Sequence, residues 1–188
     1  PPVLSNLDPI LDDEGFYGIK LAIEDNLTTG RFVGHDYKAE FHRILLSEDI
    51  ETEFKKLLEK GKKFFVVDLN YDEIKLLKQH SSDSDVVIFN IREKNDALRN
   101  EQCQMNLFHI PPSYSILSDA LTQYLVKKRW TKWFLITGPD ENDRLYASAL
   151  KKSAEKFNIK IKEEKTWDFT ADLRRTAGKE VPVFTKVR

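Results

Sequence analysis

The chain has 188 residues, 40% of them hydrophobic and 11% aromatic, enough for one large domain or two small lobes with a real core. Its 30 Lys+Arg against 31 Asp+Glu leave a formal net charge of -1, which excludes a global pull towards nucleic acid or an anionic membrane. No apolar run nears the ~20 residues that span a bilayer, and the single cysteine, Cys103, excludes an intramolecular disulfide.

Asp12, Asp13 and Glu14 precede Phe16, Ile19 and Ile23 at helical spacing, which predicts an opening helix with an acidic first turn and Gly30 as its stop. Residues 37–46, "YKAEFHRILL", have strand composition. Residues 50–61 form a helix with Phe54, Leu57 and Leu58 on one face and Gly61 at its end. The apolar runs 63–69, "KFFVVDL", and 84–91, "SDVVIFNI", read as buried parallel strands separated by a short helix over 71–80. A helical turn around "NDALRNEQC" and a short strand over 106–112, "NLFHIPP", follow. Next come a helix over 113–129 with Ser113 near its N-cap, a strand over 133–138, a helix over 143–157 and an alternating edge strand over 159–167. The last stretch is least patterned, with a helix expected over Asp172 to Lys179. Strand and helix alternate with short loops, so the fold class is α/β, a doubly wound and mostly parallel sheet. A rigid Pro111-Pro112 stop divides the chain into a first lobe, 1–112, and a second lobe beginning at 113.

Several chemistries lack their motifs. No glycine-rich dinucleotide fingerprint, phosphate loop, nucleophile elbow or Cys/His metal cluster is present, and the four histidines are scattered. His109, at a strand end, reads as a satisfied, partly buried histidine rather than a ligand or base. "KKRWTK", 127–132, reads as a helix C-terminus and turn, where cations belong electrostatically, rather than as a nucleic-acid patch. Cys103 reads as an inert small side chain.

The carboxyl ends of the strands carry more. Open α/β sheets bind ligands in the crevice beyond those ends. There the chain places "DLN" (68–70), "NIRE" (90–93), "PPSY" (111–114) and "GPDENDRLY" (138–146), hence Asp68, Asn70, Asn90, Arg92, Ser113, Asp140, Glu141 and Asp143. Amides, hydroxyls and one arginine suit a small polar ligand; the acidic members alternatively suit a hard cation, which prefers oxygen donors. An enzyme using the same crevice, with Asp68, His109 or Asp140 as acid or base, lacks a supporting motif.

The order of elements resembles the type I periplasmic solute-binding proteins, the family of the branched-chain amino acid receptors. The local resemblance is carried by residues 109–161, from "HIPPSYSILSDAL" to "KFNIKI", which are similar to the segment where such receptors cross from first lobe to second; Tyr146 takes the position of a tyrosine near the start of the following helix. "PPVLSNLDPI", "IEDNLTTGRF", "LRNEQC" and "DLRRTAGKEVPVFT" resemble a subgroup of ABC-transporter substrate-binding proteins associated with pyrroloquinoline quinone (PQQ)-dependent alcohol oxidation. The resemblance implies a periplasmic, non-enzymatic receptor without a cofactor that closes two lobes on a small polar ligand. Its implied partners are an ABC permease and a periplasmic PQQ dehydrogenase, with no nucleic acid and no membrane insertion. The ligand residues it implies, together with the strand-end reading, are Asp68, Asn70, Asn90, Arg92, Ser113, Tyr114, Asp140 and Tyr146. It also implies a chain truncated at both ends, a fragment or a naturally shortened relative, with an opening strand absent and something covering the first sheet's vacant position. "DLNYD" and "NIREKND" stand where amino-acid receptors carry small Ser, Thr or Ala residues, a departure that points away from an ordinary amino acid. The subgroup's association implies as candidate ligands the quinone, an alcohol-derived acid or a metal such as a lanthanide. The alternatives are an accessory protein of a periplasmic dehydrogenase and a lanthanide-binding receptor.

Overall fold

The computed structural model describes residues 13–45, 48–81 and 85–167. These residues divide into two compact units, the first ending at Ser113 and the second beginning at Tyr114.

The first described element of the first unit is helix α1 (Glu14–Phe32). It runs past Gly30, the predicted stop, and ends where Gly34 adopts a φ of 78° and the His35 amide donates to the Gly30 carbonyl. Gly30 is small for another reason: a Cβ there would lie 2.9 Å from the Tyr37 ring. Residues 35–45 form no strand, contrary to the expectation for 37–46. Strand composition is not sufficient without a ladder partner, and none of the described residues pairs with this segment. It is instead tied by the Lys62–Glu40 ion pair at 2.5 Å, which holds the Glu40 carboxyl below its ordinary range.

Helix α2 (Ile50–Glu59) starts at Asp49, whose carboxylate accepts the Glu51 and Thr52 amides. Strand β1 (Phe64–Val67), helix α3 (Tyr71–Ser81), strand β2 (Val87–Asn90), a 3-10 turn (Asp96–Arg99) and strand β3 (Leu107–His109) follow. The sheet is parallel, in the order β1-β2-β3, with Val67 opposite Asn90 and Asn90 opposite His109. The core of this unit lies on one face, where Phe54 of α2 and Ile74 and Leu77 of α3 pack on Ile88, Leu98 and Leu107. The opposite face is not buried as the apolar runs suggested: Phe64 is 76% exposed and Phe108, stacked on Phe89, is 49% exposed.

Among the described residues the second unit has α4 (Tyr114–Lys127), β4 (Lys132–Thr137), α5 (Glu141–Lys156) and β5 (Lys160–Thr166), with β4 and β5 parallel. α4 and α5 meet through small residues. Ser153 Oγ is 2.8 Å from Asp119 Oδ1 and 2.9 Å from Thr122 Oγ1, and Lys156 binds Asp119 at 2.5 Å. Lys156, seconded by Ser153, holds the Asp119 carboxyl low. Just beyond the end of α4 stands Arg129, whose φ of 62° places an L-residue where glycine is usual; the Trp130 amide closes the motif on the Leu125 carbonyl. The basic run is thus a helix terminus and turn. No described helix is long and apolar enough to cross a membrane. The helix expected over 172–179 lies outside the described residues.

Candidate functional site

In the first unit the carboxyl ends of β1, β2 and β3 carry five of the expected ligand residues, but these do two different jobs. Asn70 caps α3. Its Oδ1 accepts the Glu73 amide at 3.0 Å while Glu73 Oε2 accepts the Asn70 amide at 2.8 Å, a reciprocal box that satisfies two otherwise unpaired donors. Asn90 is wholly buried and builds the loop after β2. Its Oδ1 accepts the Arg92 amide at 3.0 Å and the Glu93 amide at 2.8 Å; its Nδ2 donates to the Glu93 carbonyl at 2.7 Å and lies 3.0 Å from His109 Nδ1. A side chain with both ends engaged in its own loop positions its neighbours and has no donor left for a ligand.

The same loop continues through Glu93, whose carboxylate accepts the Lys94 and Asn95 amides at 2.8 Å each, and Asn95, which caps the 3-10 turn. Arg99 in that turn donates from Nη2 to the Pro111 carbonyl at 2.5 Å, tying the turn to the segment after β3. Its Nη1 is buried without a hydrogen-bond partner among the described residues. His109 is half-buried between these parts. Burial pushes its pKa down, the Arg99 guanidinium and Lys78 ammonium add to that, and a hydrogen bond to the Leu98 backbone opposes it, so the imidazole is neutral at neutral pH. Ser113 is buried at the end of this unit.

Asp68 and Arg92 remain, and both are exposed. Arg92 Nη1 lies 3.6 Å from Asp68 Oδ1, with more than half of the arginine side chain in solvent. A loose exposed ion pair contributes little to stability and yields readily to another partner. α1 crosses close by: a Cβ on Gly15 would lie 2.7 Å from Ile91 Cδ1 and 3.4 Å from Asp68 Oδ2. The first turn of α1 therefore passes over the ends of β1 and β2, and the glycine permits that approach.

In the second unit, Tyr114 at the start of α4 and Tyr146 in α5 pack ring to ring, centroids 5.4 Å apart and tilted 30°. Both are half-buried. Asp140 is the N-cap residue of α5 but its exposed carboxylate makes no cap hydrogen bond. Asp143 lies against Gly138, filling the space a side chain there would need. Thr137, at the carboxyl end of β4, is buried, and its Oγ1 has no hydrogen-bond partner among the described residues. Arg99 and Thr137 are polar groups that the sequence reading did not single out. Thr137, a hydroxyl closing an apolar strand, was open to the strand-end rule; Arg99, inside a turn, had no such signal. An open apolar depression of about 410 Å³, lined by Leu121, Trp130, Trp133 and Leu150, lies at the amino end of β4 and is not part of this constellation. Among the described residues no three His, Cys, Asp or Glu side chains gather to hold a metal ion.

No protein-family profile matches the chain, and no curated protein sequence does. Solved structures do. An ABC transporter substrate-binding protein from Desulfitobacterium hafniense, in complex with Leu, superposes with a TM-score of 0.67 at 16% identity over 85% of this chain and 48% of its own. A branched-chain amino acid ABC transporter periplasmic ligand-binding protein from Burkholderia xenovorans gives 0.63 at 17% identity over 84% and 42%. An ABC transporter solute-binding protein from R. palustris, in complex with benzoate, gives 0.51 at 13% identity over 68% and 36%. The chain spans less than half the length of each of these three structures. At such identities the likeness speaks for architecture alone, and the architecture is clear: this chain has the α/β fold of the type I periplasmic binding proteins.

Proposed function

We propose that this chain belongs to the periplasmic solute-binding component of an ABC-type uptake system, a receptor rather than an enzyme. It binds a small polar solute through groups at the carboxyl ends of its strands and delivers it to a membrane permease. The observation that carries the reading is the division of labour at those ends. Asn70 and Asn90 are engaged in building loops, whereas Asp68 and Arg92 stand exposed beside them with only a loose contact to each other. Charged groups held on a firm loop and left free for a partner are what an orienting contact needs. On this reading Arg92 takes an anionic group of the solute and Asp68 a cationic or hydroxyl group. In the second unit the Tyr114–Tyr146 pair offers a flat apolar surface and Thr137 a buried hydroxyl.

The ligand follows from the resemblance more than from the fold. The neighbours bound to Leu and to benzoate have one architecture and different ligands, so the fold leaves ligand choice to the loops. The resemblance to the PQQ-associated subgroup favours a solute of periplasmic alcohol oxidation: PQQ itself or an alcohol-derived acid, with a PQQ dehydrogenase as a nearby partner. The test is a thermal-shift panel of amino acids, benzoate, short alcohols and their acids, PQQ, calcium and lanthanide ions. A saturable rise in melting temperature with an anionic solute, absent in Arg92→Ala, is the expected result, because a ligand that binds only the native state stabilises it. A rise with a metal ion alone would favour the metal-receptor reading, and silence throughout would favour the dehydrogenase-accessory reading.

A further inference from the structure

The loop that carries Arg92 is held by Asn90, and the orientation of Asn90 is set by His109. With Oδ1 committed to the Arg92 and Glu93 amides, Nδ2 is the atom that faces the imidazole, 3.0 Å from Nδ1. A carboxamide nitrogen only donates, so His109 Nδ1 must be an unprotonated acceptor. Protonation would set N–H against N–H. Turning the Asn90 carboxamide would relieve that clash, but it would withdraw Oδ1 from both backbone amides. Asn90 is wholly buried, so no water takes its place. The loop therefore has two exclusive arrangements, one for each charge state of the imidazole.

We infer that His109 is a positioning residue for the candidate binding arm: as neutral imidazole it locks the Asn90 carboxamide and hence the Arg92 loop, and as imidazolium it releases them, weakening capture of an anionic solute in acid. The binding half rests on the role proposed for Arg92; the lock does not. The charged groups that face His109 are Arg99 of the 3-10 turn and Lys78 of α3, both cationic and both opposed to a proton there. Glu93 and Asp96 act on Arg99 in turn. Together with burial, the two cations lower the pKa of the imidazole from its ordinary value.

The test is amide hydrogen exchange on the whole chain at about pH 7.5 and about pH 5, corrected for intrinsic rates, bracketing the ordinary histidine range. In the wild type the protection of the Arg92 and Glu93 amides should fall by about tenfold or more in acid, the scale of one lost loop hydrogen bond, while the Ile88 amide in the β2–β3 ladder holds. His109→Gln, which does not titrate, should remove the acid step. Asn90→Asp should reverse its sign, because a carboxylate accepts both loop amides and the imidazolium proton. A wild-type loop insensitive to pH, or an unchanged acid step in His109→Gln, would overturn the lock, and either variant decides if the other does not fold. A benzoate titration at the two pH values reads the binding half. Affinity should drop in acid for the wild type and stay level in His109→Gln; affinity level in both overturns that half. Absence of benzoate binding at both pH values counts against Arg92 as an anion arm, and the exchange experiment still decides the lock.

Discussion

In the first unit, the polar groups at the carboxyl ends of β1 and β2 are engaged: Asn70 closes a box with Glu73, and Asn90 ties the Arg92 and Glu93 amides of its loop to His109 at the end of β3. In the second, Asp140 takes the same position before α5 that Asn70 takes before α3, yet its carboxylate caps nothing. The cores differ in the same sense. Ile74, Leu77, Ile88 and Leu98 fill the first, whereas the buried positions of α5 in the second are Ala147, Ala149, Ser153 and Ala154, with Ser153 meeting Thr122 of α4. Position at a strand end does not by itself make a residue a ligand. What decides is whether its hydrogen-bonding capacity is already taken by its own loop.

Ile74→Ala gives the largest expected effect. It empties a fully buried position in the first core and should lower unfolding stability by about 2–5 kcal/mol, against about 1 kcal/mol for Ser153→Ala, which removes one hydroxyl from the α4–α5 contact. Urea denaturation reads both, and equal losses would erase the contrast between the cores. Asn90→Ala comes next at about 2–3 kcal/mol, because the Arg92 and Glu93 amides lose their acceptor inside a buried loop. A loss under about 0.5 kcal/mol would make Asn90 an ordinary surface residue. Smaller again is the pair of caps. Asn70→Ala should cost about 1 kcal/mol and Asp140→Ala well under that, since only the first makes cap hydrogen bonds.

Acid stability follows from His109. Its pKa in the folded chain lies below the unfolded value, so the unfolded chain takes up the proton first as pH falls. The contribution is therefore whole above the ordinary histidine range and lost as pH drops through it towards the folded pKa. Denaturation midpoints between about pH 8 and about pH 5 should show this fall in the wild type and less of it in His109→Gln.

Much of the fold was legible in the chain. The periodicity of 71–80, 113–129 and 143–157 reflects helices that exist, and Gly61 does stop α2, at a φ of 75°. Residues 37–46 misled because strand propensity is a statement about neighbours, and no described segment pairs with them. α1 outran Gly30 because a helix ends where the chain can turn left-handed, and that residue is Gly34. At the site, the residue types were legible and their employment only in part. The Asn70–Glu73 box lies within four residues and is visible as a pattern. The role of Asn90 depends on His109, 19 positions away and brought alongside only by the β2–β3 register.

The most direct test of this division between building and binding compares Arg92→Ala with Asn70→Ala, measuring the melting temperature with and without the panel solute that shifts the wild type. Arg92→Ala should melt like the wild type and lose the solute-induced shift, while Asn70→Ala should melt lower and keep it. The opposite pattern, with Arg92 needed for stability and Asn70 for the shift, would contradict that division.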